Sequence, residues 1–293
     1  METEAPLLLT FHALPSDFCA LTLPWLEQNE AKYALPLGLC MRILPARQAD
    51  QHKLLLASVS TPEGELRASA LRSAPHYLLV QSEPLCELAL ELLAKSLAER
   101  GAVLPGVTGV MDASDCFARC WQAFTGAAAE LEICQRAYAL RKVNPVRKPV
   151  GTKQQALPEQ APLILEWINA MSAETASGNQ AAWTLEDVSA CIQDGVFYLW
   201  CAGGEPAAMA FYNRPTRRSV AISGVYTAPE KRGQGFATAL VAGMCAQALA
   251  EGREFITLFT DVENPVSNAV YRRVGFEAVC DYHQYIFCQQ TPA

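Results

Sequence analysis

The chain has 293 residues, 51% of them apolar and 18% charged, with 18 prolines and 17 glycines. This excludes a disordered, collagen-like or low-complexity chain, and roughly 150 residues per domain allows two domains or one large one. Lys and Arg number 23 against 30 Asp and Glu, a formal charge of −7, which argues against a duplex-binding protein and is compatible with a cationic amine substrate.

Eleven scattered cysteines show no framework spacing and no C-x-x-C, and there are four histidines. That pattern reads as reduced thiols acting as small hydrophobes, with no metal site. The start, METEAPLLLT, is acidic where a secretion signal is positive. No run reaches the ~18 apolar residues of a membrane span. The expectation is a soluble, cytoplasmic protein with no membrane and no nucleic-acid partner.

The clearest seam is Asn144-Pro-Val-Arg-Lys-Pro-Val-Gly151, where two prolines hold the chain extended. It predicts three segments: a first domain over 1–143, a linker over 144–151 and a second domain over 152–293.

In the second half, Leu163, Trp167, Ile168 and Met171 predict a helix over Ala161–Ala173. Another is predicted over Leu185–Gln193, with Thr184 as N-cap and Asp187 as its capping-box partner. Val196–Ala202, Ala207–Asn213 and Ser219–Thr227 read as strands joined by short turns, an antiparallel meander. A helix then runs on from Phe236 until Glu251-Gly252. Phe255–Thr260 reads as a strand, Pro265–Val274 as a helix and Tyr282–Cys288 as a last strand.

The first half echoes the second. Asp112 lies fourteen residues before Gly126, as Asp261 does before Gly275, and each glycine lies twelve before an aromatic, Tyr138 or Phe287. Leu97-Ala-Glu-Arg-Gly101 matches Leu249-Ala-Glu-Gly252 as a helix end. The shared order points to a duplicated fold. The copies differ at two places: Gln81-Ser-Glu-Pro84 stands for Arg232-Gly-Gln-Gly235, and Gln122, beside Trp121, stands for Tyr271.

Between a strand and a helix lies Pro229-Glu-Lys-Arg-Gly-Gln-Gly-Phe-Ala-Thr-Ala-Leu240. Glycines let backbone amides approach a ligand, and the first turn of a helix offers unpaired N–H groups with a partial positive charge. Together they make a diphosphate cradle, with Arg232 as a nearby cation. No P-loop Gly-Lys-Ser/Thr follows, and no dinucleotide fingerprint is present. The bland alternative is a turn whose glycines serve geometry alone. Downstream, Asn264, Ser267 and Tyr271 are spaced by three and four and share one face of a short helix. Asn supplies an amide and Tyr a phenol that can give a proton; the alternative is a solvated face and a core tyrosine.

Val225-Tyr-Thr-Ala-Pro-Glu-Lys-Arg-Gly-Gln-Gly-Phe-Ala-Thr-Ala-Leu240, followed by Asn264-x-x-Ser267-x-x-x-Tyr271-x-x-x-Gly275-Phe276, resembles the GNAT superfamily of acyl-CoA-dependent N-acyltransferases over roughly 155–290. Its flavour is similar to the glycine N-acyltransferase-like branch, which carries a degenerate GNAT-like half before the active one. The resemblance implies two tandem α/β (α+β) GNAT-like domains, each a mixed, mostly antiparallel sheet flanked by helices, the first non-catalytic.

It further implies an acetyl-CoA or other acyl-CoA co-substrate. Its diphosphate would be held by Arg232, Gly233, Gln234, Gly235, Phe236, Ala237 and Thr238, and its pantetheine arm by Val225, Tyr226, Thr227 and Asn264, with Ser267 beside them. Gly224 would mark the bulge that splays the strands, and Tyr271 would protonate the departing thiolate. The acceptor would be an amine of a small molecule or amino acid. Many relatives place a Glu on the fourth strand; here the nearest position is Ala221, which leaves Glu174, Asp261 and His283 as candidate bases. The competing reading is a non-catalytic acyl-CoA sensor or scaffold.

Overall fold

The structure, a computed structural model, describes residues 6–45, 53–174 and 182–288, so the first five residues of the acidic start lie outside it. The chain divides into two compact units, Met1–Arg136 with Cys280–Ala293, and Ala137–Val279. No helix among the described residues is long and apolar enough to cross a membrane. No group of three His, Cys, Asp or Glu among them could hold a metal ion.

The first unit contains β1 (Leu8–Phe11), α1 (Pro15–Leu26), α2 (Ala34–Ile43), β2 (Leu54–Ser60), β3 (Leu66–Ser73), β4 (Leu78–Gln81), α3 (Glu87–Glu99), β5 (Gly106–Val110) and α4 (Met111–Thr125). β6 (Ala128–Leu140) begins in it, and it takes its last strand from β12 (Glu277–Cys288) at the other end of the chain. The order is β1-β2-β3-β4-β5-β12, antiparallel except for β4 against β5. One face buries α3 and α4 through Leu90, Leu93, Phe117 and Trp121; the other buries α1 and α2 through Phe18, Tyr33 and Leu37. Trp121 stacks between Phe117 and Phe287, at centroid distances of 6.1 and 5.7 Å, so the borrowed strand completes the core.

The second unit contains β7 (Thr152–Gln155), α5 (Ala161–Glu174), α6 (Leu185–Gln193), β8 (Phe197–Ala202), β9 (Glu205–Asn213), β10 (Ser219–Thr227), α7 (Phe236–Ala250), β11 (Phe255–Asp261) and α8 (Pro265–Val274). Its strands run β7-β8-β9-β10-β11, with the end of β6 beside β11. Every pair from β7 to β10 is antiparallel, whereas β10 and β11 are parallel. Both units thus repeat one order: two helices, three strands ending in a parallel-paired one, helix, strand, helix.

Local sequence explains several elements. Thr184 Oγ1 accepts the amide of Asp187 at 3.1 Å while Asp187 Oδ2 accepts the amide of Thr184 at 2.9 Å, the reciprocal cap that starts α6. β8 alternates Tyr198 and Trp200 toward α7 with Phe197 and Leu199 toward α5, because a central strand is buried on both faces. α7 carries no charge from Phe236 to Ala250 and buries Phe236, Leu240, Val241, Met244 and Cys245. The equivalent glycines Gly126 and Gly275 both cap a helix C-terminus at left-handed φ, +74° and +116°. Asp112 and Asp261 are not equivalent: α4 follows β5 without a loop, so Asp112 is helical while Asp261 ends β11.

Candidate functional site in the second unit

β10 and β11 pair at only three positions, Ser219 with Phe255, Val220 with Ile256 and Ala221 with Thr257. Beyond them no pairing continues, although β10 runs to Thr227 and β11 to Asp261. The cause lies on the other edge of β10. Its register on β9 slips between Ser223 and Tyr226, a bulge in which Gly224 adopts φ +62°. A Cβ there would lie 2.2 Å from the Phe211 ring, so only glycine fits. The bulge reverses the strand's alternation: Val220 and Ile222 pack toward α7 before it, Tyr226 toward α5 after it. Two parallel strands parting in mid-sheet leave backbone N–H and C=O groups facing an opening, and Val225, Tyr226 and Thr227 lie along it.

The chain leaves β10 through a turn at Pro229–Lys231 and reaches α7 through Arg232, Gly233, Gln234 and Gly235. Gly233 and Gly235 stand at φ +76° and +87°, and a Cβ at either would meet nothing within 4 Å. Conformation, not crowding, requires glycine here, and the space before these two residues is open. Gly235 caps α7 with no side-chain bond, and the first turn carries no acidic residue. The first backbone bond back to the cap comes from Ala239, 3.0 Å from Gly235 O. The amides of Phe236, Ala237 and Thr238 are those a helix leaves unpaired. Phe236 and Thr238 bury their side chains and Gln234 stays exposed. The turn therefore fits an anion such as a diphosphate.

Arg232 is not free. Its Nη2 lies 2.7 and 2.9 Å from the two carboxylate oxygens of Glu174, and its Nε donates to Thr227 O at 3.1 Å. The guanidinium also sits 5.4 Å from the Tyr226 ring centroid. Glu174, at the end of α5, is thus an ion-pair partner of the turn.

On α8, Asn264 Oδ1 accepts the amide of Ser267 at 3.0 Å. Asn264 is the N-cap rather than a member of the helical face expected from spacing. Tyr271 is 8% exposed and packs edge-on to Phe276 at 6.0 Å. Burial pushes its pKa up to about 12. A residue the sequence reading missed, Asn268, ties this region together. It is buried, its Nδ2 donates to Asp261 O and Asn264 O at 2.8 and 2.7 Å, and its Oδ1 accepts from Tyr138 at 2.8 Å. Only its adjacency to Ser267 in a polar turn hinted at it. Asp261 Oδ1 accepts the amide of Glu263 at 2.8 Å. His283 belongs to the first unit, with Nδ1 2.7 Å from Asp115 Oδ1.

On the α5 face a groove of about 550 Å³ opens beside the turn, floored by Trp167, Tyr226 and Ala228 and rimmed by Glu166, Glu230 and the ion pair of Lys231 with Glu205 at 3.4 Å. In the first unit the corresponding turn holds no left-handed glycine. Ser82 Oγ accepts the amide of Cys86 at 2.8 Å, and Glu87 begins α3, an acidic residue where an anion would have to bind. Where Tyr271 is buried, Gln122 is exposed, and its neighbour Trp121 takes the core position.

Residues 164–276, within the second unit, match the family model described as acetyltransferase (GNAT) family. No curated protein sequence matches the chain. Among solved structures, a GCN5-related N-acetyltransferase from Sphaerobacter thermophilus is similar at TM-score 0.64 and 16% identity, over 95% of this chain and 94% of that one. A Drosophila protein is similar at TM-score 0.65 and 13% identity, over 96% and 98%. A tandem GNAT protein from the clavulanic acid biosynthesis pathway is similar at TM-score 0.57 and 14% identity, over 98% and 100%. At these identities the likeness is one of fold, and the fold is the tandem GNAT fold.

Proposed function

We propose that the second unit is an N-acyltransferase that moves an acetyl or other short acyl group from acyl-CoA to an amine of a small molecule or amino acid, by direct attack in a ternary complex. The observation that carries this reading is the conjunction of the parted strands β10 and β11 with an uncapped α7 N-terminus entered through two left-handed glycines. The opening accommodates an extended arm and the turn an anion. Likeness to the glycine N-acyltransferase-like branch gives the tandem arrangement the same sense, with the first unit non-catalytic.

Acyl-CoA supplies an acyl group already activated as a thioester. The amides from Gly233 to Thr238 and the cation of Arg232 hold its diphosphate. Backbone groups of Val225, Tyr226 and Thr227 hold the arm by strand-like hydrogen bonds, and an N–H of this stretch polarises the thioester carbonyl. Asn264, whose Oδ1 is spent on capping, contributes through its Nδ2, with Ser267 beside it. Tyr271 stays protonated at neutral pH. With a pKa near 12 it is a weaker acid than a thiol of about 8.5, so full proton transfer to the thiolate is uphill. Hydrogen-bond donation to the departing sulfur carries its effect, and solvent completes the protonation. Lys231 offsets Glu205 at the rim of the groove, and the remaining carboxylates Glu166 and Glu230 favour a small amine on the α5 side.

A second reading, a non-catalytic acyl-CoA sensor, is favoured by one observation: Ala221 presents only a methyl at the root of the opening, while Glu174, Asp261 and His283 are engaged elsewhere. Steady-state CoA release with a panel of primary amines and amino acids separates the two. Release that falls in Tyr271→Phe supports transfer; binding of acetyl-CoA with no release from any amine supports the sensor.

A further inference from the structure

Among the described residues two buried side-chain polar atoms have no hydrogen-bond partner, Thr257 Oγ1 and Gln81 Nε2. Thr257 sits where β10 and β11 part, and Gln81 at the end of β4. Thr257 with Ala221 is the last pair before β10 and β11 part; Gln81 follows Val80, which with Gly109 is the last pair of β4 and β5. Gln81 is half satisfied, since its Oε1 accepts from Ser69 Oγ at 2.7 Å. The Thr257 hydroxyl bonds to nothing, although the residue is 2% exposed.

A buried hydroxyl without a partner destabilises a fold more than its hydrogen bond would stabilise it. Valine has the same shape and an equal liking for strands, so stability alone favours valine at this position. The hydroxyl's neighbourhood indicates its use. Ile256 and Leu258 pack toward α7, as do Val220 and Ile222. Strand alternation therefore turns Thr257 and Ala221 to the opposite face, the one α5 covers. Ala221, paired with Thr257, brings only a methyl to this level of the sheet, beside the enclosed hydroxyl. The opening that would admit the acyl arm begins one residue further along both strands.

We propose that Thr257 is a positioning residue of the transfer reaction: at the root of the fork, its hydroxyl accepts a hydrogen bond from the water that takes the proton of the attacking amine. This rests on the acyl-transfer reading above. The balance is simple. The amine nitrogen forms the C–N bond, and the C–S bond breaks with its electron pair on sulfur. The proton shed by nitrogen passes to the water and on to solvent, and solvent returns one proton to sulfur. Threonine itself neither gains nor loses a proton. It orients the water and, by accepting from it, raises its basicity.

Thr257→Val replaces an unpaired hydroxyl with a methyl and so keeps the fold, which makes it a usable test, with Thr257→Ser as the conservative rescue. In a high-resolution crystal structure with acetyl-CoA, the wild type should show an ordered water on Thr257 Oγ1 that is missing from the valine variant. In CoA release with the amine panel, Thr257→Val should lose about tenfold in kcat at unchanged KM for acetyl-CoA, and Thr257→Ser should recover most of it. A hydroxyl turned onto a protein carbonyl with no water, or turnover in Thr257→Val equal to wild type, overturns the proposal while acyl transfer stands. Failure of the wild type to bind acetyl-CoA or to release CoA overturns the transfer reading, and the proposal with it.

Discussion

Arg232 and Glu174 form a forked ion pair, 2.7 and 2.9 Å from one guanidinium nitrogen to both carboxylate oxygens, across the turn that leads into α7. Both side chains are about half exposed, and such pairs contribute about 0–1 kcal/mol. An incoming diphosphate can therefore take over the guanidinium with little loss, but it meets a carboxylate beside it. Glu174→Gln should tighten CoA binding by a few-fold, and Arg232→Met should weaken it. Titration calorimetry at low and high salt checks both, and the difference between wild type and Glu174→Gln should shrink as salt screens the carboxylate. Weaker binding in Glu174→Gln would instead make the carboxylate a brace for Arg232.

Gly224 forms the bulge that parts the strands. Gly224→Ala places a methyl against the Phe211 ring at a φ of +62°. The combined strain should cost about 1–3 kcal/mol, measured as a lowered midpoint in urea unfolding, and CoA affinity should fall with it. Unchanged stability would mean that the bulge tolerates a side chain.

Tyr271→Phe should lower kcat about tenfold or more while CoA affinity stays within a factor of two. The pH–rate profile should show no tyrosine limb below about pH 10, because burial holds the phenol up to about 12. The stability sign follows from the same shift. The phenol's neutral burial contributes fully below its unfolded value of about 10 and is lost as pH rises through about 12. A limb that disappears in Tyr271→Phe near neutral pH would contradict this environment.

The first unit owes its last strand to residues near the C-terminus. Tyr282 is fully buried, its hydroxyl donates to Lys32 O at 2.7 Å, and Phe287 stacks on Trp121. Ending the chain at Val279 removes the five pairs that β12 makes with β5 and should unfold the first unit. Loss of the most protected amides of β5 in hydrogen exchange would report it. Retained protection would show that this unit holds without the strand.

Local chemistry made much of this fold legible. The Thr184–Asp187 box, the Ser219–Thr227 strand and the Pro265–Val274 helix stand where the sequence places them, because capping, alternation and proline each act over a few residues. β7 escaped notice because Thr152-Lys-Gln-Gln155 is polar and mostly exposed, a strand defined by its pairing with β8 and not by its pattern. The strand over Tyr282–Cys288 is also where the sequence places it, but its pairing with β5 of the first unit is long-range, which no window of sequence records. At the site, the turn and Tyr271 could be read from motif, whereas Asn264 as a cap, Asn268 as a buried tie and the unpartnered Thr257 hydroxyl emerge only with the backbone in place.

The central claim is that the turn before α7 holds the diphosphate of acyl-CoA, and thermal unfolding with added ligand tests it most directly. A ligand at a hundred times its Kd adds about 2.7 kcal/mol, several degrees for a chain of this size. Wild type should shift with CoA, acetyl-CoA and longer acyl-CoAs, and the ranking should identify the acyl group. Gly235→Glu, which puts a carboxylate before the α7 amides, should not shift. Gly252→Ala, with the same kind of left-handed strain at φ +96° after α7, should shift as wild type does. No shift of the ligand-free wild type with any of these compounds would contradict the account.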